Sequence, residues 1–222
     1  MKKLNFIIKC GLALLLLSFY SCESWLNVTP SDRLSEEMLF NDREGFVKAL
    51  NGVYIELNTN ELYGRNLTAG ALDVMGQYYS VASSSHAFYN YGGLVYTGND
   101  EKALFDNMWQ KCYAVIACCN TIIEKCDENK AGLSPVWRGS IKGEALALRA
   151  MLHFDMLRLF GPLTSELDKE SIPYQTISDQ TVTPLLSGSE VVGLILDDLK
   201  NAVGLLKDTD PYFVEEEFSD TD

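Results

Sequence analysis

Between residues 77 and 99 the chain reads QYYSVASSSHAFYNYGGLVYTGN. Six aromatic residues, Tyr78, Tyr79, Phe88, Tyr89, Tyr91 and Tyr96, lie there among serines, glycines and asparagines. Aromatic faces pack on the C–H faces of a pyranose, and neighbouring amides and hydroxyls bond its hydroxyl groups. The segment therefore holds both group types that a neutral saccharide needs. Loops of this length inside compact domains are usually functional or disordered, and so many aromatics argue against disorder. The same rings could instead tuck the segment onto neighbouring helices, and composition alone leaves both readings open.

Cys22 is the second residue with a chemistry of its own. Lys2 and Lys3 form a basic start, and Cys10 through Tyr20 is an apolar run broken only by Gly11 and Ser18. That run fits the apolar region of an export signal and is too short for a spanning helix. Ser21 places a small residue just before Cys22, where a bacterial lipoprotein precursor is linked to diacylglycerol and cleaved. Phe19 and Tyr20 match the preceding positions of that box loosely, so an ordinary secretory signal with an incidental cysteine is the alternative. Cleavage there removes three lysines and no acid, taking the net charge from −13 to −16. Such a surface does not bind anionic lipid by charge, and the membrane anchor would be the lipid itself.

The same charge argues against nucleic acid, which needs a basic face to displace phosphate counterions. Cys112, Cys119 and Cys126 recur every seven residues within one helical pattern, about 10 Å apart. A disulfide needs Cα atoms within about 7 Å, so these three cannot pair along that helix. Together with Cys118 they read as small buried hydrophobes. The only histidines are His86 and His153, and no zinc-like spacing is present. His153 reads as a packed histidine. A phosphate loop, a nucleophile elbow and an H-E-x-x-H helix are all missing from the sequence. No cofactor, metal or catalytic residue is expected, and the protein does not read as an enzyme. The run Glu215–Glu217 reads as a solvated acidic tail.

The elements that must position these residues are mostly helices. The first strong helix is expected to begin near Asn41, with Glu44 as capping-box partner, and to end at Asn58–Asn60. A weaker helical run covers about 67–75. Apolar steps from Phe105 to Cys126 mark a long helix. Ser134-Pro135 opens another, which Gly161-Pro162 stops. Residues 164–188 form a connector bearing Pro173 and Pro184. Ser187 and Glu190 cap a last helix with the stripe Val192, Ile195, Leu199, Ala202 and Leu206. Strand alternation is weak everywhere, strongest inside 88–96. The fold class is mostly α, with antiparallel helical hairpins, one long aromatic-rich loop and little strand. The domains expected are a signal (1–21), a tether (22–40), a helical domain (41–210) and an acidic tail (211–222).

In order along the chain come several ordered signatures. Cys22-Glu23-Ser24-Trp25-Leu26-Asn27-Val28-Thr29-Pro30 is followed by Phe46 with Gly52-Val53-Tyr54, then by Trp109, Tyr113, Ile116 and Asn120. Leu148-Arg149-Ala150, Phe154-Asp155 and Leu159-Phe160-Gly161-Pro162 come next. Ile172-Pro173-Tyr174 and Asp197-Asp198-Leu199 with Ala202 complete the set. With these the chain resembles the SusD/RagB family of outer-membrane nutrient-binding lipoproteins of the Bacteroidetes. The resemblance implies helical hairpins like tetratricopeptide repeats, a lipid anchor on Cys22 at the outer membrane, and an oligosaccharide or other nutrient ligand. It also implies a SusC-like, TonB-dependent transporter as partner. No family-wide motif identifies ligand residues. Members of the family are usually longer, which also admits a shortened, functionally impaired chain; a helical protein-interaction scaffold is the further alternative.

Overall fold

The structure, a computed structural model, describes residues 36–179 and 181–210. The expected signal, most of the tether with Cys22, and the acidic tail lie outside the described residues. The chain divides after Glu37, and the unit from Met38 onward carries the elements below. They are α1 (Arg43–Leu57), α2 (Ala71–Met75), α3 (Tyr89–Gly92), α4 (Asn99–Glu128), α5 (Pro135–Phe160), β1 (Glu170–Pro173), β2 (Leu185–Ser187) and α6 (Gly188–Leu206).

Capping sets most of the boundaries. At α1 the cap is Asp42, whose carboxylate accepts from the Gly45 amide at 2.9 Å. Asn41 lies one residue outside, and Glu44 pairs with Lys48 on the surface instead of closing a capping box. Asn129 ends α4 in the left-handed region. Its side chain bonds both the amide and the carbonyl of Leu133, which ties the turn between α4 and α5. The Ser134 hydroxyl accepts from the Trp137 amide, and Pro135 occupies the first helical position, where a missing N–H costs nothing. Ser187 and Glu190 complete a reciprocal capping box on α6.

Helices α4, α5 and α6 run antiparallel in sequence order, α5 packing against both neighbours, while α1 lies on α4 and α5. The core between them contains Phe46, Ile116, Leu152 and Met156, all with almost no exposed surface. Cys112, Cys119 and Cys126 are buried and free within it. Burial pushes the Cys119 and Cys126 thiols up to about 12 and the Cys112 thiol upward too, so they act as small apolar side chains. Cys118 departs from the expectation: it is exposed on α4.

Three further sequence expectations are corrected. The weaker helix is only Ala71–Met75, because residues 59–70 form a chain of turns. The strands lie in the connector as an antiparallel pair, β1 with β2, and residues 89–92 form a helical turn. That turn puts Phe88 and Tyr91 on one side, ring centroids 5.7 Å apart; a strand would send residues three apart to opposite faces. On α6 the buried residues are Gly188, Val191, Ile195, Asp198 and Ala202. The helix is rotated so that Asp198 faces inward, which leaves Leu199 exposed.

Candidate functional site

The structure divides the six aromatics of the 77–99 segment into two sets. Tyr91 is 3% exposed and forms a small core with Ala71 and Val74, against which Phe88 and Tyr96 pack. Tyr91 and Tyr96 also meet Phe105 of α4 edge-on, at 6.0 and 5.3 Å between centroids. Burial raises both phenols above their ordinary value. Arg65 also sits over the Phe88 ring, 5.9 Å from its centroid. These three rings fasten the segment to the helices. Tyr78, Tyr79 and Tyr89 remain exposed, at 80%, 51% and 42%.

The exposed rings do not form a single patch. Tyr79 and Tyr89 line a cleft of about 410 Å3 together with Gln77, Ser80, Asn90 and Gly93. Tyr78 lines a second, open cleft of about 660 Å3 with Asp73, Met75, Arg158 and Leu159. The hinge between them is Gln77, which stands in the left-handed region at φ 63°. A non-glycine residue adopts that conformation when its surroundings hold it there. Here the Gln77 side-chain amide donates to the Gly92 carbonyl at 2.9 Å and to the Val74 carbonyl at 3.4 Å, bridging the two arms of the segment. Asn90 donates to Glu101 at the start of α4 at 2.7 Å, and that bond keeps the Glu101 carboxyl below its usual range.

Neutral amides, hydroxyls and two phenol rings around one concave space can stack on an uncharged ring and exchange hydrogen bonds with it. Among the described residues no group of three or more His, Cys, Asp or Glu is placed to hold a metal. No described helix is long and apolar enough to cross a membrane.

A second constellation lies outside the aromatic segment; Asn120, Arg149, Tyr174 and Asp198 in it belong to the ordered signatures, and His153 is packed as expected, but their joining is not legible in the sequence. Arg149 of α5 makes a two-pronged pair with Asp198 of α6, Nε to Oδ2 and Nη2 to Oδ1 both at 2.7 Å. Its Nη1 donates to Asn120 Oδ1 of α4 at 2.8 Å. The Asn120 amide donates in turn to the carbonyls of Gln175 and Ile177. The Tyr174 hydroxyl donates to Asp198 at 2.6 Å. His153 stacks on the Tyr174 ring at 3.9 Å. The Gln175 amide donates to His153 Nε2, so the Nδ1 proton goes to the Arg149 carbonyl. Burial holds the imidazole near pKa 4, well below its ordinary value. Three helices and the connector are thereby locked together. The signal in the sequence is polar residues at otherwise apolar positions, which a hydrophobic stripe count passes over.

Residues 24–219 match a SusD-like family model described as "Starch-binding associating with outer membrane". Two curated SusD-like proteins of Formosa agariphila are 27% and 26% identical over 82% and 93% of this chain, and the matches cover 34% and 38% of those proteins. The chain thus spans about a third of the length of these relatives. Among solved structures, a putative sugar binding protein from Bacteroides vulgatus superposes with a TM-score of 0.60 at 23% identity, over 74% of this chain and 37% of that one. A SusD superfamily protein from Bacteroides thetaiotaomicron gives 0.57 at 20% identity, over 74% and 37%. These two carry the fold alone. The family match covers most of the chain, and with it the chain belongs to the SusD-like family.

Proposed function

We propose that this protein is a non-catalytic glycan-binding lipoprotein, held at the outer membrane by lipid on Cys22, that passes oligosaccharide to a SusC-like, TonB-dependent transporter. The observation that carries the glycan reading is the cleft in which Tyr79 and Tyr89 stand exposed beside Gln77 and Asn90. The family description and the neighbour named as a putative sugar binding protein support the same ligand class. Of the six aromatics, Tyr79 and Tyr89 are the proposed stacking rings and Tyr78 an outlying third contact. Phe88, Tyr91 and Tyr96 serve as the foundation that presents them.

The test is a glycan-array screen of the full chain, followed by titration with whichever neutral oligosaccharide binds. Losing one stacking ring removes about 1–3 kcal/mol, so Tyr79→Ala weakens binding roughly 5- to 150-fold with unchanged helical content. Tyr91→Ala instead lowers stability by about 3 kcal/mol, as for other large core truncations. Equal loss of stability in Tyr79→Ala and Tyr91→Ala, with no selective loss of binding, rejects the reading. For the anchor, Cys22→Ala is expected to release the protein from the membrane fraction; a wild-type chain that takes up no palmitate analogue overturns that part.

A further inference from the structure

The cleft of about 660 Å3 beside Tyr78 combines apolar side chains such as Met75 and Leu159 with two charged groups, Asp73 of α2 and Arg158 of α5. The Tyr78 ring lies against Gly76, where a Cβ would stand only 3.1 Å from the ring's Cδ2. The Tyr78 amide donates to the Asp73 carbonyl at 3.0 Å. An otherwise exposed ring is thereby seated on bare backbone. Arg158 is positioned from the core. The Tyr63 hydroxyl donates to Asp155, a buried carboxylate, and Asp155 accepts from Arg158 Nε at 2.6 Å. Among the described residues, the two terminal nitrogens of Arg158 and the Asp73 carboxylate make no hydrogen bond, to each other or elsewhere. The cleft therefore offers one occupant a stacking face, an acceptor and a donor.

We infer that this cleft is a second saccharide subsite, and that the protein selects uncharged oligosaccharides long enough to fill it together with the Tyr79–Tyr89 cleft. The inference rests on the glycan reading above and adds a length requirement to it. Tyr78 and Tyr79 are consecutive, so their Cα atoms lie about 3.8 Å apart and their ring centres at most about 12 Å apart. A single sugar cannot occupy both clefts; a short chain laid across residues 77–79 can. Asp73 can accept from two sugar hydroxyls, and the Arg158 fork can donate to two sugar oxygens, through charge-assisted bonds. The charge balance sets the ligand class. Arg158 is already matched by Asp155, Asp73 has no such partner among the described residues, and the chain carries a net charge of −13. A uronate or sulfated sugar meets repulsion there, and an uncharged one does not. Filling the second cleft is intramolecular once the first is occupied, so affinity grows with chain length.

Isothermal titration of the full chain tests the subsite, with neutral gluco-, xylo- and manno-oligosaccharides from disaccharides to heptasaccharides as probes and oligogalacturonides as the charged arm. In the series that binds, the longest members are expected to bind about tenfold or more tightly than the disaccharide. Tyr78→Ala and Asp73→Ala should each remove most of that gain, whereas Tyr79→Ala weakens every member. Circular dichroism checks that the helices persist. Affinity that does not rise with length, or a gain retained in both Tyr78→Ala and Asp73→Ala, overturns the subsite; a loss in Tyr79→Ala would still leave the glycan reading in place. An oligogalacturonide that outbinds every neutral chain overturns the restriction to uncharged sugars. Failure of all the neutral and charged series to bind removes the glycan reading and the subsite with it.

Discussion

The 77–99 segment and the Arg149–Asp198 network lie at opposite limits of how a side chain can be held. In the segment, a short piece of irregular backbone is pinned by two amide bridges and three packed rings, and its remaining tyrosines face water. In the network, polar groups on α4, α5, α6 and the connector are enclosed and satisfy one another almost completely. Substituting an exposed ring should therefore cost binding and little stability. Substituting one member of the network should cost stability everywhere, because its partners are left buried and unpaired. An aromatic ladder joins the two regions. It runs from Tyr91 through Phe105, Phe160, Trp109 and Tyr113 to His153, each ring meeting the next within 6.2 Å.

The largest effect that sharpens this contrast is expected at Asp198. Asp198→Ala leaves the Arg149 guanidinium buried without its carboxylate and should cost about 3–5 kcal/mol. Chemical denaturation measures it. A loss below about 1 kcal/mol, the size of a surface pair, would place the network among surface interactions and erase the contrast.

Next comes acid sensitivity. His153 has an ordinary pKa of 6.5 and is held near 4 in the fold. Below pH 6.5 the unfolded chain takes up a proton that the folded chain refuses. Stability from this group is therefore complete above about pH 6.5 and is lost as the pH falls toward 4. The change amounts to about 3 kcal/mol. A His153→Gln variant should lack that part of the pH dependence, whatever its stability at neutral pH. Parallel pH profiles for the two proteins would show that the imidazole takes up its proton as readily in the fold as in the unfolded chain.

The smallest effect is expected at Gln77. Gln77→Gly keeps the left-handed backbone accessible but removes the bridge to Gly92. Global stability should fall by about 1 kcal/mol or less, while hydrogen exchange across residues 89–95 accelerates, since that arm loses its tie. Unchanged exchange there would mean that the packed rings alone hold the segment.

Much of the fold is legible in the amino-acid sequence. Ser134-Pro135 and Gly161 mark both ends of α5, and Ser187 with Glu190 marks the start of α6, because caps are local chemistry within three or four residues. The seven-residue spacing of Cys112, Cys119 and Cys126 likewise puts them on one helical face, and they lie buried there. The cap of α1 falls one residue beyond Asn41, since Asp42 offers an equally short side chain with better reach to Gly45.

The candidate site is legible only as a composition. Sequence locates the aromatic segment, but Tyr89 and Tyr91 differ by two positions in one Gly-flanked run, and only the packing of α3 on α2 and α4 decides that Tyr91 is enclosed and Tyr89 is not. The α6 stripe shows the same limit. Periodicity alone ranks Leu199 as a core residue and Asp198 as a surface one. The order is reversed because Asp198 meets Arg149, which lies 49 residues earlier in the chain. Local sequence determines where helices start, stop and turn, since those energies act within a turn or two. Which side of each helix faces inward is a sum over distant partners, and a buried ion pair can outweigh a leucine in that sum only once the tertiary structure has brought its two halves together.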